Sequence, residues 1–287
     1  MPQLLRLLRS LPSYRPGIAY VLDRVLYLSP TVHSPAANTM RSCCGPRFAS
    51  RESGLIPMGS DTITTAESSG FEPRLPVKND NDDDNNDDAQ NDDDPTAEEL
   101  ATLVDDFYAA LAAADTEKKN KEEHSLGSMG EKSGGVVFQG NGDPLAAVGV
   151  VVDTVRLVAQ RRKGIAFRWN TFGLCEPNAI DLLVSSSTEI VARRSNHNVN
   201  DDQRRETRIA TVSVFLPAAN PTQYAALLQP KGQFGFSDVC SFVVRLAEAG
   251  VNVECTTVAR PDIKVAEVEA LAMSLGATSF RTRKWIP

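Results

Sequence analysis

The chain has 287 residues, of which 41% are hydrophobic, enough for one large domain or two small ones with an apolar core. Its formal net charge of −7 is misleading, because residues 79–94 contain nine aspartates and the rest of the chain carries +2. That remainder has no basic stripe of the kind that binds nucleic acid, and no apolar run approaches the roughly 20 residues of a membrane span.

Two features of the sequence bear on the compartment. Five cysteines, an odd number with no CxxC pair, argue against a secreted disulfide framework and favour a reducing, intracellular environment. Residues 1–23 are rich in arginine and leucine and have no acid before Asp23, which fits an amphipathic transit segment or an ordinary N-terminal helix. We therefore treat residues 1–23 as an N-terminal extension and leave the localisation open between cytoplasm and mitochondrion.

The first half of the chain has little periodic structure. Residues 24–29 favour a strand, and the Ser-, Pro- and Gly-rich stretch that follows as far as residue 78 is typical of irregular structure. The acidic insert 79–94 cannot bury apolar surface and repels itself, so we expect a disordered loop. A helix then begins with a capping box, in which Thr96 is the N-cap and Glu99 lies three residues further on.

The second half is organised around residues 135–144, which read Gly-Val-Val-Phe-Gln-Gly-Asn-Gly-Asp-Pro. The apolar residues predict a short buried strand. Gly140 and Gly142 leave room for a bound group to approach the backbone, Asp143 supplies a carboxylate, and Pro144 suits the first turn of a helix. Parallel α/β folds build ligand sites at such strand ends, although a tight strand-to-helix turn has the same pattern.

Strands and helices alternate regularly from there to the carboxyl terminus. The patterns predict helices at 145–163, 177–193, 236–249 and 264–275, strands at 165–169, 210–216, 251–258 and 278–283, and a polar insert at 194–208. Such alternation with short turns predicts an α/β fold with a parallel sheet covered by helices. Together with the first strand it gives six strand–helix units, fewer than the eight of a complete barrel.

A series of motifs in fixed order carries a family resemblance. They are Val-Val-Phe-x-Gly-x-Gly-Asp-Pro from residue 136, Arg-Trp-Asn-Thr-Phe-Gly-Leu from 168, Ser-Val-Phe-Leu from 213, Asn-Pro-Thr-Gln-Tyr from 220 and Phe-Arg-Thr-Arg from 280. In order and spacing they resemble the radical SAM superfamily, most closely its TatD-associated branch. The resemblance covers residues 135–287 except for 175–209, and residues 24–48 faintly.

The resemblance implies a partial (β/α)6 TIM-like barrel, formed as a single domain by residues 24–287. It also implies a set of contacts to S-adenosylmethionine. The family's second-strand motif, which contacts the amino group of that ligand, matches Gly140, Gly142 and Asp143, with Asp143 in place of the usual glutamate. The turn after the third strand matches Asn170, Thr171 and Gly173, and an inward position on the fourth strand matches Ser213. For Thr171 and Ser213, a hydroxyl satisfied within the barrel interior is the alternative.

The residues that would bind an iron–sulfur cluster are missing. Radical SAM chemistry requires a four-iron cluster on three thiolates spaced CxxxCxxC. In the matching loop these positions hold Ser34, Asn38 and Arg41, none of which replaces a thiolate. The adjacent Cys43 and Cys44 do not restore the spacing, so we expect no four-iron cluster.

Two functional hypotheses follow. In the first, the chain is a radical SAM-like pseudoenzyme or binding module that has lost its cluster. It keeps a pocket with weak affinity for S-adenosylmethionine, and its partner is a small nucleotide-like ligand or another protein rather than nucleic acid or a membrane. In the second, it is an active enzyme that depends on S-adenosylmethionine and a four-iron cluster, and its cluster loop is distorted by a misassigned exon.

Overall fold

The computed structural model describes residues 2–15, 17–22, 25–36, 94–121, 135–140, 142–192 and 208–283. Seven strands form one sheet, and their bounds are β1 Ala19–Leu22, β2 Val25–Leu28, β3 Val136–Phe138, β4 Ala166–Thr171, β5 Arg208–Phe215, β6 Val253–Val258 and β7 Ser279–Arg283. The described α-helices are α1 Pro2–Arg9, α2 Ala97–Lys121, α3 Val148–Arg161, α4 Pro177–Ala192, α5 Pro221–Leu228, α6 Phe236–Glu248 and α7 Val265–Ser274. A 3-10 turn, Pro144–Ala147, precedes α3.

The strands lie in the sheet in the order in which they occur along the chain. β1 and β2 form an antiparallel hairpin, and every later neighbour pair from β2 to β7 is parallel. The predicted α/β fold with a parallel sheet is therefore confirmed, and the six parallel strands correspond to the six strands expected from the sequence.

The helices pack beside one another in the same order as the strands. Contacts join α2 to α3, α3 to α4, and α4 to α6. Because crossovers between parallel strands are right-handed, strands laid down in sequence place their helices on the same side of the sheet. We call that side the helix face. Its core includes Phe138, whose ring centroid lies 5.3 Å from that of Phe167 and 6.1 Å from that of Trp169.

The predicted start of α2 is confirmed in atomic detail. The backbone N–H of Glu99 donates to Thr96 Oγ1 at 3.2 Å, and the Glu99 carboxylate accepts from the Thr96 N–H at 2.7 Å. Both groups would otherwise lack partners at the first turn of the helix.

The residues predicted as an N-terminal extension contribute to the sheet and to its core. Between 1 and 23 lie α1 and β1, and Leu8 and Tyr20 are fully buried. The acidic insert 79–94 lies outside the described residues except for Asp94, and the polar insert 194–208 lies outside them except for Arg208, which begins β5. None of the described helices combines the length and the apolar composition needed to cross a membrane.

Candidate functional site

Asp143 is held by hydrogen bonds from two neighbouring segments of its own chain. Its side chain is completely buried, and as the N-cap of the 3-10 turn it accepts from the Leu145 N–H at 2.9 Å. From the end of β4 it accepts from the Phe172 N–H at 2.7 Å and from Thr171 Oγ1, which lies 2.8 Å from both carboxylate oxygens. Thr171 Oγ1 in turn accepts from the Gly173 N–H at 2.9 Å. This group of contacts, the Asp143 clamp, ties the end of β3 to the end of β4.

The two glycines before Asp143 are in contact with the loop that follows β2. A Cβ atom on Gly142 would lie 2.7 Å from Thr31 O and His33 N and closer still to His33 O, and one on Gly140 would overlap the Ser29 side chain. The backbone N–H groups of Gly142 and Asp143 donate to Thr31 O and His33 O at 3.2 and 2.8 Å. The group that approaches these glycines is therefore the chain's own loop after β2, through the side chain of Ser29 and the backbone of Thr31 and His33.

The loop that follows β2 also contacts the segment after α5. It contains Ser34, the first of the three positions that match the cluster cysteines of the radical SAM family. Lys231 N donates to Pro35 O at 2.7 Å, and Ala36 forms a bridge with Pro230. Ser34 Oγ donates to Ala36 O at 3.2 Å, so its hydroxyl serves the loop itself. Asn38 and Arg41 lie outside the described residues.

Three cysteines lie in the described part of the chain. Cys175, Cys240 and Cys255 are free thiols, and burial raises the pKa of Cys175 and Cys255 to about 12, which disfavours the thiolate. Across the described ranges no three His, Cys, Asp or Glu side chains converge on a point where a metal ion would sit. A four-iron cluster needs three thiolates close together, and no such group occurs among the described residues.

A row of polar side chains crosses the face of the sheet opposite to the helix face. Backbone pairing aligns Asn170 of β4 with Ser213 of β5, and Ser213 with Glu254 of β6. Gln139, directly after β3, extends the row, because it accepts from Asn170 Nδ2 at 2.5 Å and donates to Tyr20 OH at 3.0 Å. We call Tyr20, Gln139, Asn170, Ser213 and Glu254 the polar row.

Two arginines meet at Glu254 and form a charged triad with it. Arg168 and Ser213 both donate to Glu254 Oε1, the latter at 3.2 Å, and Arg281 Nε donates to the same oxygen at 3.0 Å. Although burial alone would raise the pKa of Glu254, the two guanidinium groups hold it below its ordinary value. The triad is only partly covered, since the side chains of Arg168, Glu254 and Arg281 are 28%, 14% and 49% exposed.

The residues predicted to contact a ligand fall into two groups. Five of them belong to the Asp143 clamp or to its contact with the β2 loop: Gly140, Gly142, Asp143, Thr171 and Gly173. Asn170 and Ser213 lie instead in the polar row. Sequence reasoning missed Gln139, Arg168, Glu254 and Arg281, although the period-2 alternation of β4 places Arg168 on the same face as Asn170.

The pH dependence of stability is expected to reveal the Asp143 clamp. Burial raises the pKa of Asp143 from 3.8 to about 6, although hydrogen bonds from Phe172, Leu145 and Thr171 offset part of the effect. The folded state then binds the proton more tightly than the unfolded state, so this stabilisation is complete below pH 4 and is lost as the pH rises through 6. Relative to Asp143→Asn, the free energy of unfolding of the wild type should fall by about 2 kcal/mol between pH 4 and pH 7.

Urea denaturation of both proteins across that range measures the difference. Asp153→Asn, which removes an exposed carboxylate from α3, controls for the change in net charge. A difference between the wild type and Asp143→Asn that stays constant with pH would contradict a buried, proton-binding Asp143.

Fold and site together define an α/β protein whose parallel sheet has helices on one face and a hydrogen-bonded polar row on the other. No protein-family model matches the chain, and none of the curated proteins compared with it matches either. The function of the chain is therefore inferred from the residues of the polar row and the charged triad. They offer amide, hydroxyl and guanidinium groups suited to binding a polar molecule through several directed hydrogen bonds.

Proposed function

We propose that this chain is a radical SAM-like partial barrel that works without an iron–sulfur cluster and binds a small nucleotide-like ligand. Two observations support the barrel. The six parallel strands lie in sequential order with their described helices in one layer, the arrangement of a barrel, in which the curvature of the sheet covers the opposite face. On that face Gln139, Asn170 and Ser213 are only 3%, 4% and 2% exposed.

The observation that carries the ligand-binding proposal is the polar row with its charged triad. The interior of a barrel that serves only stability is filled by layers of branched apolar side chains, because unpaired polar groups are costly there. Here the strands place an amide, a hydroxyl and a carboxylate in register, next to two partly exposed arginines. Amides and hydroxyls suit the base and ribose of a nucleoside, and the arginines suit an anionic group.

S-adenosylmethionine is the reference ligand for this proposal. The polar row offers hydrogen-bond donors and acceptors of the kinds that its adenine, ribose and amino-acid groups require. The resemblance assigns Asp143 to the ligand's amine, but both oxygens of that carboxylate already accept hydrogen bonds within the Asp143 clamp. Because no cluster chelates the amino-acid end, we expect weak affinity, with a Kd of roughly millimolar to high micromolar.

The remaining attributes belong to the same proposal. We propose an intracellular location, in which the described cysteines stay reduced, and no nucleic-acid partner, since the chain without its aspartate run is close to neutral. A protein partner is the second candidate for the occupant of the site.

Anaerobic purification followed by iron and sulfide analysis and calorimetric titration tests the proposal. The protein, incubated with iron and sulfide and then gel-filtered, should retain no stoichiometric iron, and the iron-free protein should bind S-adenosylmethionine and S-adenosylhomocysteine. Ser213→Ala, which removes one hydroxyl of the polar row, should weaken binding by about threefold to tenfold. Ser185→Ala, on the exposed side of α4, is the matched control and should bind as the wild type does.

Stoichiometric iron retained through gel filtration would overturn the cluster-free proposal and favour an active radical SAM enzyme. Failure of the iron-free protein to bind either ligand would overturn the ligand-binding proposal and favour a role in binding another protein.

A further inference from the structure

The charged triad leaves specific hydrogen-bonding groups unused. Arg168 donates through Nε to Asn170 and through Nη2 to Glu254, and Arg281 directs Nε and Nη2 at Glu254, with Arg281 Nη2 3.0 Å from Oε1. All the side-chain contacts that the described strands make with the Glu254 carboxylate fall on Oε1. Among the described residues, Glu254 Oε2 and the Nη1 groups of both arginines have no partner.

This pattern differs from that of an ion pair whose purpose is only to hold strands together. A structural arginine–carboxylate pair gains most when two parallel N–H groups meet both carboxylate oxygens. Here one oxygen of Glu254 accepts from Arg168, Ser213 and Arg281, and the other is left open on a side chain that is 14% exposed. The arrangement positions the carboxylate firmly and keeps one acceptor available.

The charge balance of this face favours an anionic group beside that acceptor. Strand alternation places Arg283 on the same face as Arg281, two residues further along β7, so arginines outnumber carboxylates on the described strands of this face. Arg281 is about half exposed, so an incoming ligand can reach its guanidinium.

We propose that the charged triad binds the α-amino-acid end of the ligand. The ligand's carboxylate accepts hydrogen bonds from the unused Nη1 groups of Arg281 and Arg168, and its ammonium donates to Glu254 Oε2. The inference rests on the proposed function and narrows the ligand to a nucleoside that carries a zwitterionic amino-acid group. It places recognition of that group on β4, β6 and β7, toward the β7 edge of the sheet, rather than at the Asp143 clamp between β3 and β4.

The inference is tested by removing the positive charge of Arg281 from the protein and, separately, the carboxylate from the ligand. Wild-type protein and Arg281→Gln are titrated by NMR with S-adenosylmethionine and with its decarboxylated derivative, which keeps the ammonium and lacks the carboxylate. Arg281→Gln should weaken binding of S-adenosylmethionine about tenfold and leave binding of the decarboxylated derivative nearly unchanged. Arg156→Gln is the matched control, because Arg156 on α3 is 44% exposed and also pairs with a carboxylate, that of Asp153.

Glu254→Gln gives the complementary measurement. It should weaken both ligands, because both carry the ammonium group. If Arg281→Gln binds S-adenosylmethionine as tightly as the wild type, or loses affinity for both ligands equally, the inference is overturned while the proposed function stands. If the wild type binds neither ligand, the proposed function itself fails and the inference falls with it.

Discussion

Replacing Asp143 by alanine is expected to lower the free energy of unfolding by about 4 kcal/mol at pH 5. The substitution removes the acceptor for the Leu145 and Phe172 N–H groups and for the Thr171 hydroxyl, all in a fully buried site. Each buried donor left without a partner costs about 1–3 kcal/mol. At pH 5 the carboxyl is largely protonated, so removing an ionised buried group does not offset the loss.

Urea denaturation of Asp143→Ala, with Asp153→Ala as the control, measures this effect. Asp153 is exposed on α3, and its ion pair with Arg156 should contribute less than about 1 kcal/mol. A loss at Asp143 no larger than the loss at Asp153 would show that the clamp does not hold the ends of β3 and β4 together.

Replacing Gly142 by alanine is the second large effect, with an expected loss of about 3 kcal/mol. The new methyl group would meet three backbone atoms of Thr31 and His33, and backbone cannot move aside as a flexible side chain can. The β2 loop would have to move away, which breaks the hydrogen bonds from Gly142 N to Thr31 O and from Asp143 N to His33 O.

Gly149 provides a matched control for this substitution. It lies in α3 with no atom within 4 Å of the position of an added Cβ, so Gly149→Ala should stabilise the protein by about 0.5–1 kcal/mol. Opposite signs for the two glycine-to-alanine changes are the expected result. Similar small effects at both positions would contradict the close contact between the glycine turn and the β2 loop.

Most of the described secondary structure could be predicted because its signals are local. Helical periodicity and the Thr96–Glu99 capping box predict the start of α2 close to its observed position. Pro144 after the acidic N-cap does the same for the 3-10 turn. The predicted strand ends differ from the observed ones by at most two residues. The strand predicted at 251–258, for example, is observed at 253–258. Two elements were not predicted, namely the strand β1 and the helix α5, because each has eight residues or fewer and offers little periodicity. The helix α1 corresponds to the ordinary N-terminal helix that was one of the two interpretations of residues 1–23.

The role of the glycine turn could not be predicted because it depends on a distant segment. From the sequence, glycines before an acid indicate room for a ligand, and the same spacing equally suits a backbone that passes close by. Only the folded chain shows that residues 29–33 occupy that space. The role of the carboxylate likewise depends on Thr171, 28 residues further along the chain.

The polar row required the register of several strands at once. Sequence alternation places Arg168 with Asn170, but it does not align Asn170 with Ser213 or Ser213 with Glu254. A bulge between Phe167 and Arg168 shifts the pairing of β4 with β5, so counting residues from the strand start would have given the wrong partner.

The most direct test of ligand binding at the polar row is an NMR map of the iron-free protein titrated with S-adenosylmethionine. The side-chain amides of Gln139 and Asn170 and the Nε–H of Arg281 report on the row and the triad, and the side-chain amide of Gln223, bonded to Asp262 O near α5, is the control. We predict saturable shifts at Gln139, Asn170 and Arg281 and none at Gln223. Saturable shifts that leave these three groups unmoved and appear elsewhere would contradict the account.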